Sequence, residues 1–272
     1  MTENTTNTVR RYNPATRLHR LLTEANRRSD KIRTDEVWVE VLNCPPNPDE
    51  EDRKRTAYDA VVLTDRMRAL QQLYIDTSRL VDRYVDDNNQ ALYRRSLPSI
   101  HTAIAVVQLS QNWGSCKNLI GEKVLADLEH TAEFLRSKGH HDIPEDEITR
   151  LSEGNLADLD REAAELFSLI EDSELDEYLR DYLLANIDNI RRAIAEFRIR
   201  GIEGLRQAVD EGMGVLYRTV SHYRREKTTP SATVKERLIK TIELFSHVET
   251  VIATASRLPQ IAQFATKLIE EL

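Results

Sequence analysis

Two arginine–histidine pairs have the residue types and spacing for chemistry. Arg95 and His101 are close in sequence, Arg95 just before the helix that Ser96 and Pro98 start and His101 within it. An arginine fork can grip a phosphate through paired N–H donors, and a histidine can move a proton near neutral pH. Arg218 and His222 stand one turn apart, with Tyr217 and Tyr223 beside them and Arg224, Arg225 and Lys227 following. They form a basic-aromatic patch at a helix C-terminus, where cations also offset the helix dipole. Dipole complementation and surface solvation account for this patch without a ligand.

Other chemistry finds less support. His140, His141 and Asp142 adjoin Glu145, Asp146 and Glu147. Neighbours on a loop rarely converge on one ion without a ligand from elsewhere, so the cluster reads as a solvated polar turn. Glu129-His130 before Glu133 resembles half of a carboxylate-bridged metal site, but such a site needs two facing Glu-x-x-His motifs and no complete pair occurs. No Gly-x-Ser-x-Gly elbow, Walker loop or dinucleotide turn occurs. No metal or cofactor is therefore expected. Cys116 lies in Trp-Gly-Ser-Cys-Lys, where Gly114 and Lys117 could expose and acidify a thiol. The commoner alternative is a packing cysteine near a helix start.

Arg95 followed by His101 in an all-helical chain resembles the motif of the HEPN ribonucleases. The resemblance implies that Arg95 binds the scissile phosphate and that His101 helps transfer a proton. It covers these two residues only. That family usually places Asn, Asp or His after the arginine, whereas this chain has Ser96, and Pro98 restarts the helix between the pair. The stretch Ile190-Arg-Arg-Ala-Ile-Ala-Glu-Phe-Arg-Ile-Arg-Gly-Ile-Glu-Gly-Leu-Arg-Gln-Ala-Val209 is similar to uncharacterised bacterial helical proteins, some from mobile-element or phage-defence settings. That second resemblance implies no activity and no functional residue.

The elements that must position these residues read as helices throughout. Pro14 suits a first helical turn, and Leu18, Leu21, Leu22 and Ala25 share one face of a helix running to about residue 29. Residues 37–42 have strand-like composition, yet Trp38, Val41 and Leu42 keep helical spacing, which favours helix. Cys44-Pro-Pro-Asn-Pro48 breaks the chain. A long helix is expected over 57–85 with Val61, Leu70, Leu73, Leu80 and Tyr84 on its apolar side, followed by a bend at 86–89. Ser96 and Pro98 should start a helix that runs through the buried 103–109 patch to Trp113, with Gly114 as its stop.

Helices over 121–136 and 156–170 follow, with a linker bracketed by Pro144 and Gly154. Ser173 should begin the next, with Asp176 completing a capping box. Leu183, Ile187, Ile190, Ile194 and Phe197 step by four, three, four and three, the spacing of a packed seam. Gly201 and Gly204 mark a corner, either a hinge or a tight packing point, before a helix to about Glu226. Gly212 and Gly214 read as close packing first and hinge second. Thr233 and Glu236 form a capping-box pattern for a last helix carrying Leu238, Ile242, Phe245, Val248 and Ile252 on one face. After Pro259 the stripe resumes with Ile261, Phe264, Leu268 and Leu272.

The predicted fold is all-α, a bundle of long antiparallel helices. Residues 1–13 form a polar, mobile N-terminus, 14–150 an N-terminal helical region and 151–272 a C-terminal bundle. Gly and Pro number only 8 each, and few breakers favour long helices. A net charge of -8 opposes nucleic acid and anionic membranes overall. Locally, however, Arg10, Arg11, Arg17 and Arg20 open a basic segment that could contact a polyanion. Two distant cysteines, no signal-peptide pattern and no apolar stretch near the roughly 20 residues of a membrane span point to a cytoplasmic protein without a membrane partner.

The leading functional expectation is a non-enzymatic interaction or scaffold protein. It would associate with a protein partner or a second copy through Ile261, Phe264, Leu268 and Leu272. The alternatives are a HEPN-like ribonuclease or toxin-type effector, and a nucleic-acid-binding adaptor using the basic segment.

Overall fold

The computed structural model describes residues 13–48, 57–138, 153–226 and 230–252. The fold is all-α. The chain divides into two compact units, Met1–Asp142 and Ile143–Leu272. Among the expected functional residues, Arg10, Arg11, His140, His141, Asp142, Ile261, Phe264, Leu268 and Leu272 lie outside the described residues, as does Pro259.

The first unit is organised around α1 (Pro14–Asn26), which packs on α2 (Thr34–Val41), α3 (Ala60–Tyr84) and α7 (Glu122–Ser137). Pro14 occupies the first helical turn, and the predicted face of Leu18, Leu21, Leu22 and Ala25 is fully buried. Burying one such leucine contributes roughly 1.5–3 kcal/mol. Asn13 is the N-cap of α1. Its Oδ1 accepts from the Thr16 N–H at 2.9 Å, and its Nδ2 donates to the Ala132 carbonyl of α7 at 3.0 Å. One side chain thus caps α1 and ties it to its neighbour.

Residues 37–42 are helical, as their spacing indicated, within and just after α2. In α3 the buried face is Leu63, Met67, Leu70, Leu73, Thr77 and Val81. Val61 is 71% exposed, against expectation, because the Asp59 side chain caps the helix there and turns Val61 outward. The expected bend at 86–89 is the start of α4 (Asp87–Arg94).

The helix expected from Ser96 to Trp113 is three pieces. These are α5 (Leu97–Ala103), a 3-10 turn (Val106–Ser110) and α6 (Trp113–Lys117), with Val107 73% exposed rather than buried. Trp113 begins a helix instead of ending one. The Asn112 side chain accepts from the Gly114 N–H at 2.9 Å, and the Trp113 N–H donates to the Ile32 carbonyl at 3.0 Å. Those bonds hold the chain out of a continuous helix. They also seat Trp113 edge-on against Trp38, with ring centroids 5.7 Å apart at 83°.

The described residues of the second unit form a four-helix bundle of α8 (Glu153–Glu171), α9 (Glu177–Ala195), α10 (Phe197–Glu226) and α11 (Ala232–Ile252). Each packs on its sequence neighbour, and α11 closes the ring on α8. The predicted seam is buried from Leu183 to Ile194, and so is the stripe Leu238, Ile242, Phe245, Val248 and Ile252. Gly154 lies inside α8 rather than in a linker. Asp176, not Ser173, caps α9, and Ser231, not Thr233, caps α11 through the Val234 N–H at 3.2 Å. Ser173 instead donates to the Ile170 carbonyl at the end of α8. Gly201 breaks α10 with φ 66 and ψ -156, a region essentially closed to side-chain-bearing residues.

Candidate functional site

Arg95 ends α4, and its guanidinium is spent on Asp127 of α7. Nε donates to Oδ2 at 2.7 Å, and Nη2 donates to Oδ1. Those hydrogen bonds hold the Asp127 carboxyl below its ordinary range. His101, exposed on α5, lies 5.3 Å from the Tyr74 ring in a tilted stack. The two residues thus engage different elements. His130 is exposed and stacks nearly parallel, at 6°, on Tyr93. Among the described residues no group of three His, Cys, Asp or Glu side chains could hold a metal ion.

Cys116 is a packing cysteine. It is fully buried, accepts from the Thr34 hydroxyl at 3.6 Å and donates to Gln108 Oε1 at 3.7 Å. Cys44 is half-buried, and burial pushes its thiol up despite the nearby Arg66 guanidinium. Cys116 lacks the access, and Cys44 the acidified thiol, that nucleophilic chemistry needs.

Sequence reasoning missed a cluster of Arg33, Asp35 and Tyr58. Tyr58 donates its hydroxyl to Asp35 Oδ2 at 2.6 Å, and Arg33 grips the same carboxylate at 3.0 and 2.9 Å. Burial pushes Asp35 up, but the bonds from Arg33 and Tyr58 outweigh it and its carboxyl titrates low. Burial and the Asp35 bond push Tyr58 to about 12. A tyrosine that holds its proton so firmly is no base or nucleophile at neutral pH. The cluster is a clamp that fastens the chain before α3 to the start of α2. The pairing spans 23 residues, so only Asp35 in the first turn of a helix hinted at it.

The basic segment is partly neutralised. Arg20 on α1 and Arg27 just after it are exposed, and Arg17 is half-buried. Arg28 pairs with Glu24 at 3.6 Å and Glu40 at 3.1 Å.

The richest surface lies over α9 and α10. The Asp176 cap accepts from the Tyr178 and Leu179 N–H groups at 3.0 and 3.3 Å, which leaves Tyr178 78% exposed. Tyr182, one turn on, stacks with it at 5.9 Å. Across the helix pair, Arg218 Nη2 donates to the Tyr182 hydroxyl at 3.4 Å, and Tyr217 beside it is half exposed. Farther along, Arg225 donates to His222 Nδ1 at 3.5 Å; Lys227 of the expected patch lies outside the described residues.

An open groove of about 520 Å³ runs between the two helices. Ala185, Asn186, Gly214 and Val215 line its middle, Tyr182 and Arg218 one end, and Asn189, Arg192, Asp210 and Glu211 the other. Glu211 accepts from Asn189 at 3.0 Å and Gln207 at 2.8 Å, while Arg192 pairs with Asp188 at 3.2 Å. A Cβ on Gly214 would meet only Arg218 Nη1, at 3.7 Å, so this glycine leaves the groove floor open. Sequence reading found the α10 side of this surface. It missed Tyr178 and Tyr182 because they come from another helix.

No family model, curated protein or solved structure matches this chain.

Proposed function

We propose that this chain is a non-enzymatic helical interaction or scaffold protein of the bacterial cytoplasm, acting as an accessory component of a defence or stress system. The observation that supports an interaction role is the tyrosine–arginine surface over α9 and α10. Tyrosine and arginine are over-represented among residues that carry binding energy. A tyrosine offers a large contact area while ordering only two side-chain torsions. Single exposed aromatics are ordinary. Here Tyr178 and Tyr182 stack beside Arg218 at one end of an open groove. The alternative, a ribonuclease, draws no support from Arg95 and His101, which are engaged by Asp127 and Tyr74. The bacterial defence setting rests on the resemblance of residues 190–209, and the genes beside this one test it.

The test of the interaction role is photo-crosslinking in the source cells, with benzoylphenylalanine in place of Tyr178 or Tyr217. One defined adduct is expected at both positions, and none at exposed Arg161 of α8. Absence of adducts at Tyr178 and Tyr217 overturns the reading.

A further inference from the structure

We infer that the α9–α10 groove binds a second copy of this chain, docked antiparallel about a two-fold axis near Gly214; this rests on the interaction role proposed above. The argument is charge complementarity about a small-residue centre. On α10, Glu211, Gly214 and Arg218 fall on one face, because their spacings of three and four residues match the helical turn. The acid and the base are seven residues apart, roughly 10 Å along the axis, with the glycine between them.

The α9 side repeats the arrangement. Tyr182 stands level with Arg218, to which it is hydrogen-bonded, and Asn189 stands level with Glu211. One end of the groove therefore carries the Arg218 cation and a tyrosine hydroxyl. The other carries Asp210 and Glu211, with Arg192 already answered by Asp188. Among the described residues, Glu211 accepts from two neutral amides, Asn189 and Gln207, which bond its carboxylate without cancelling its charge.

A two-fold axis at the Gly214 level reverses the groove end for end. The Arg218 and Tyr182 of each copy then face the acidic end of the other, and small residues face small residues at the centre. The same patch is used twice, as an isologous interface requires. A helix parallel to the first in the same groove would set like charges together, which is costly. The groove spans only part of two helices, so the interface is at the small end of specific contacts and the dimer is weak, with Kd in the micromolar range.

Light scattering and sedimentation of the full chain test this, from about 1 to 200 µM. The expected mass moves from 31.4 kDa towards twice that value as concentration rises. Arg218→Glu and Glu211→Arg alone should each weaken the dimer at least tenfold, since like charges then meet across the axis. The double variant, R218E with E211R, restores opposite charges and should recover the wild-type Kd within about threefold. Gly214→Leu fills open space at the axis and should abolish dimerisation without loss of helical circular dichroism. A single-chain mass at every concentration overturns the inference, and so does a double variant no tighter than the singles. If the chain stays monomeric yet crosslinks through Tyr178 to another protein in cells, the self-docking inference falls and the interaction role stands. If it neither dimerises nor crosslinks, both fall.

Discussion

The Phe245 ring of α11 stands where a side chain on residue 212 of α10 would begin: a Cβ built on Gly212 would lie 2.2 Å from Cε2. No real contact is that short, so the two helices approach as they do only because residue 212 is glycine. Gly214, two residues on, faces open space. Alanine substitution should therefore act oppositely at the two sites. Gly214→Ala should stabilise the fold by up to about 1 kcal/mol through helix propensity. Gly212→Ala should destabilise it by about 1–3 kcal/mol through overpacking. Denaturant titration measures both, and Phe245→Leu should relieve part of the Gly212→Ala defect. Equal effects at the two glycines would remove Phe245 as the cause.

The Arg33–Asp35–Tyr58 clamp should make stability depend on pH at both extremes. Tyr58 titrates above its ordinary value of 10.0, so its contribution is complete below about pH 10 and is lost as pH rises towards 12. Asp35 titrates below its ordinary 3.8, so its contribution is complete above that value and is lost as pH falls through its lower folded value. Tyr58→Phe should cost about 1.5–3 kcal/mol near neutral pH, the range for a hydrogen bond to a charged group. It should also flatten the alkaline limb. An alkaline unfolding profile identical in Tyr58→Phe and wild type would show that this tyrosine does not drive it.

Purified protein should leave single-stranded RNA and tRNA intact. With Arg95 held by Asp127, the Nε–Nη2 edge that would grip a phosphate is already occupied. Cleavage that disappears in both Arg95→Ala and His101→Ala would make the ribonuclease reading the leading one.

Deleting residues 260–272 tests whether Ile261, Phe264, Leu268 and Leu272 are an association element. A lower mass by light scattering with the helical signal per residue unchanged would make them one, whereas a dimer held by the α9–α10 groove alone predicts an unchanged mass. Global unfolding on deletion would place these residues in the protein's own core.

Elements whose own periodicity dictates burial were legible in the sequence. Leu18, Leu21 and Leu22 of α1, the α9 seam and the Leu238–Ile252 stripe of α11 are buried as their spacing requires. The region from Ser96 to Lys117 was not legible. Its breaks depend on the Asn112 cap and on carbonyls of Asp30 and Ile32, roughly eighty residues away, and local propensity carries no trace of those bonds. Capping residues were misplaced by two or three positions at α9 and α11, because more than one Ser, Thr or Asp was available near each start. The α9–α10 surface was half legible. Tyr217, Arg218 and His222 are local, but Tyr182 meets Arg218 across 36 residues through the antiparallel register of two helices.

The ring closure of the second unit carries a kinetic consequence. α8 with α9, α9 with α10 and α10 with α11 are neighbours in the chain, so three of the four sides of the bundle form by short-range collapse. The fourth side, α11 on α8, joins residues such as His247 and Glu162 that are 85 positions apart. Closing that long loop costs more entropy, and the helix pair it unites is the last to dock. Weakening this side should therefore accelerate unfolding while leaving the refolding rate nearly untouched. Val248→Ala on α11 is the probe. Stopped-flow chevrons should show a raised unfolding limb and an unmoved folding limb, and a slowed folding limb would place the closure early instead.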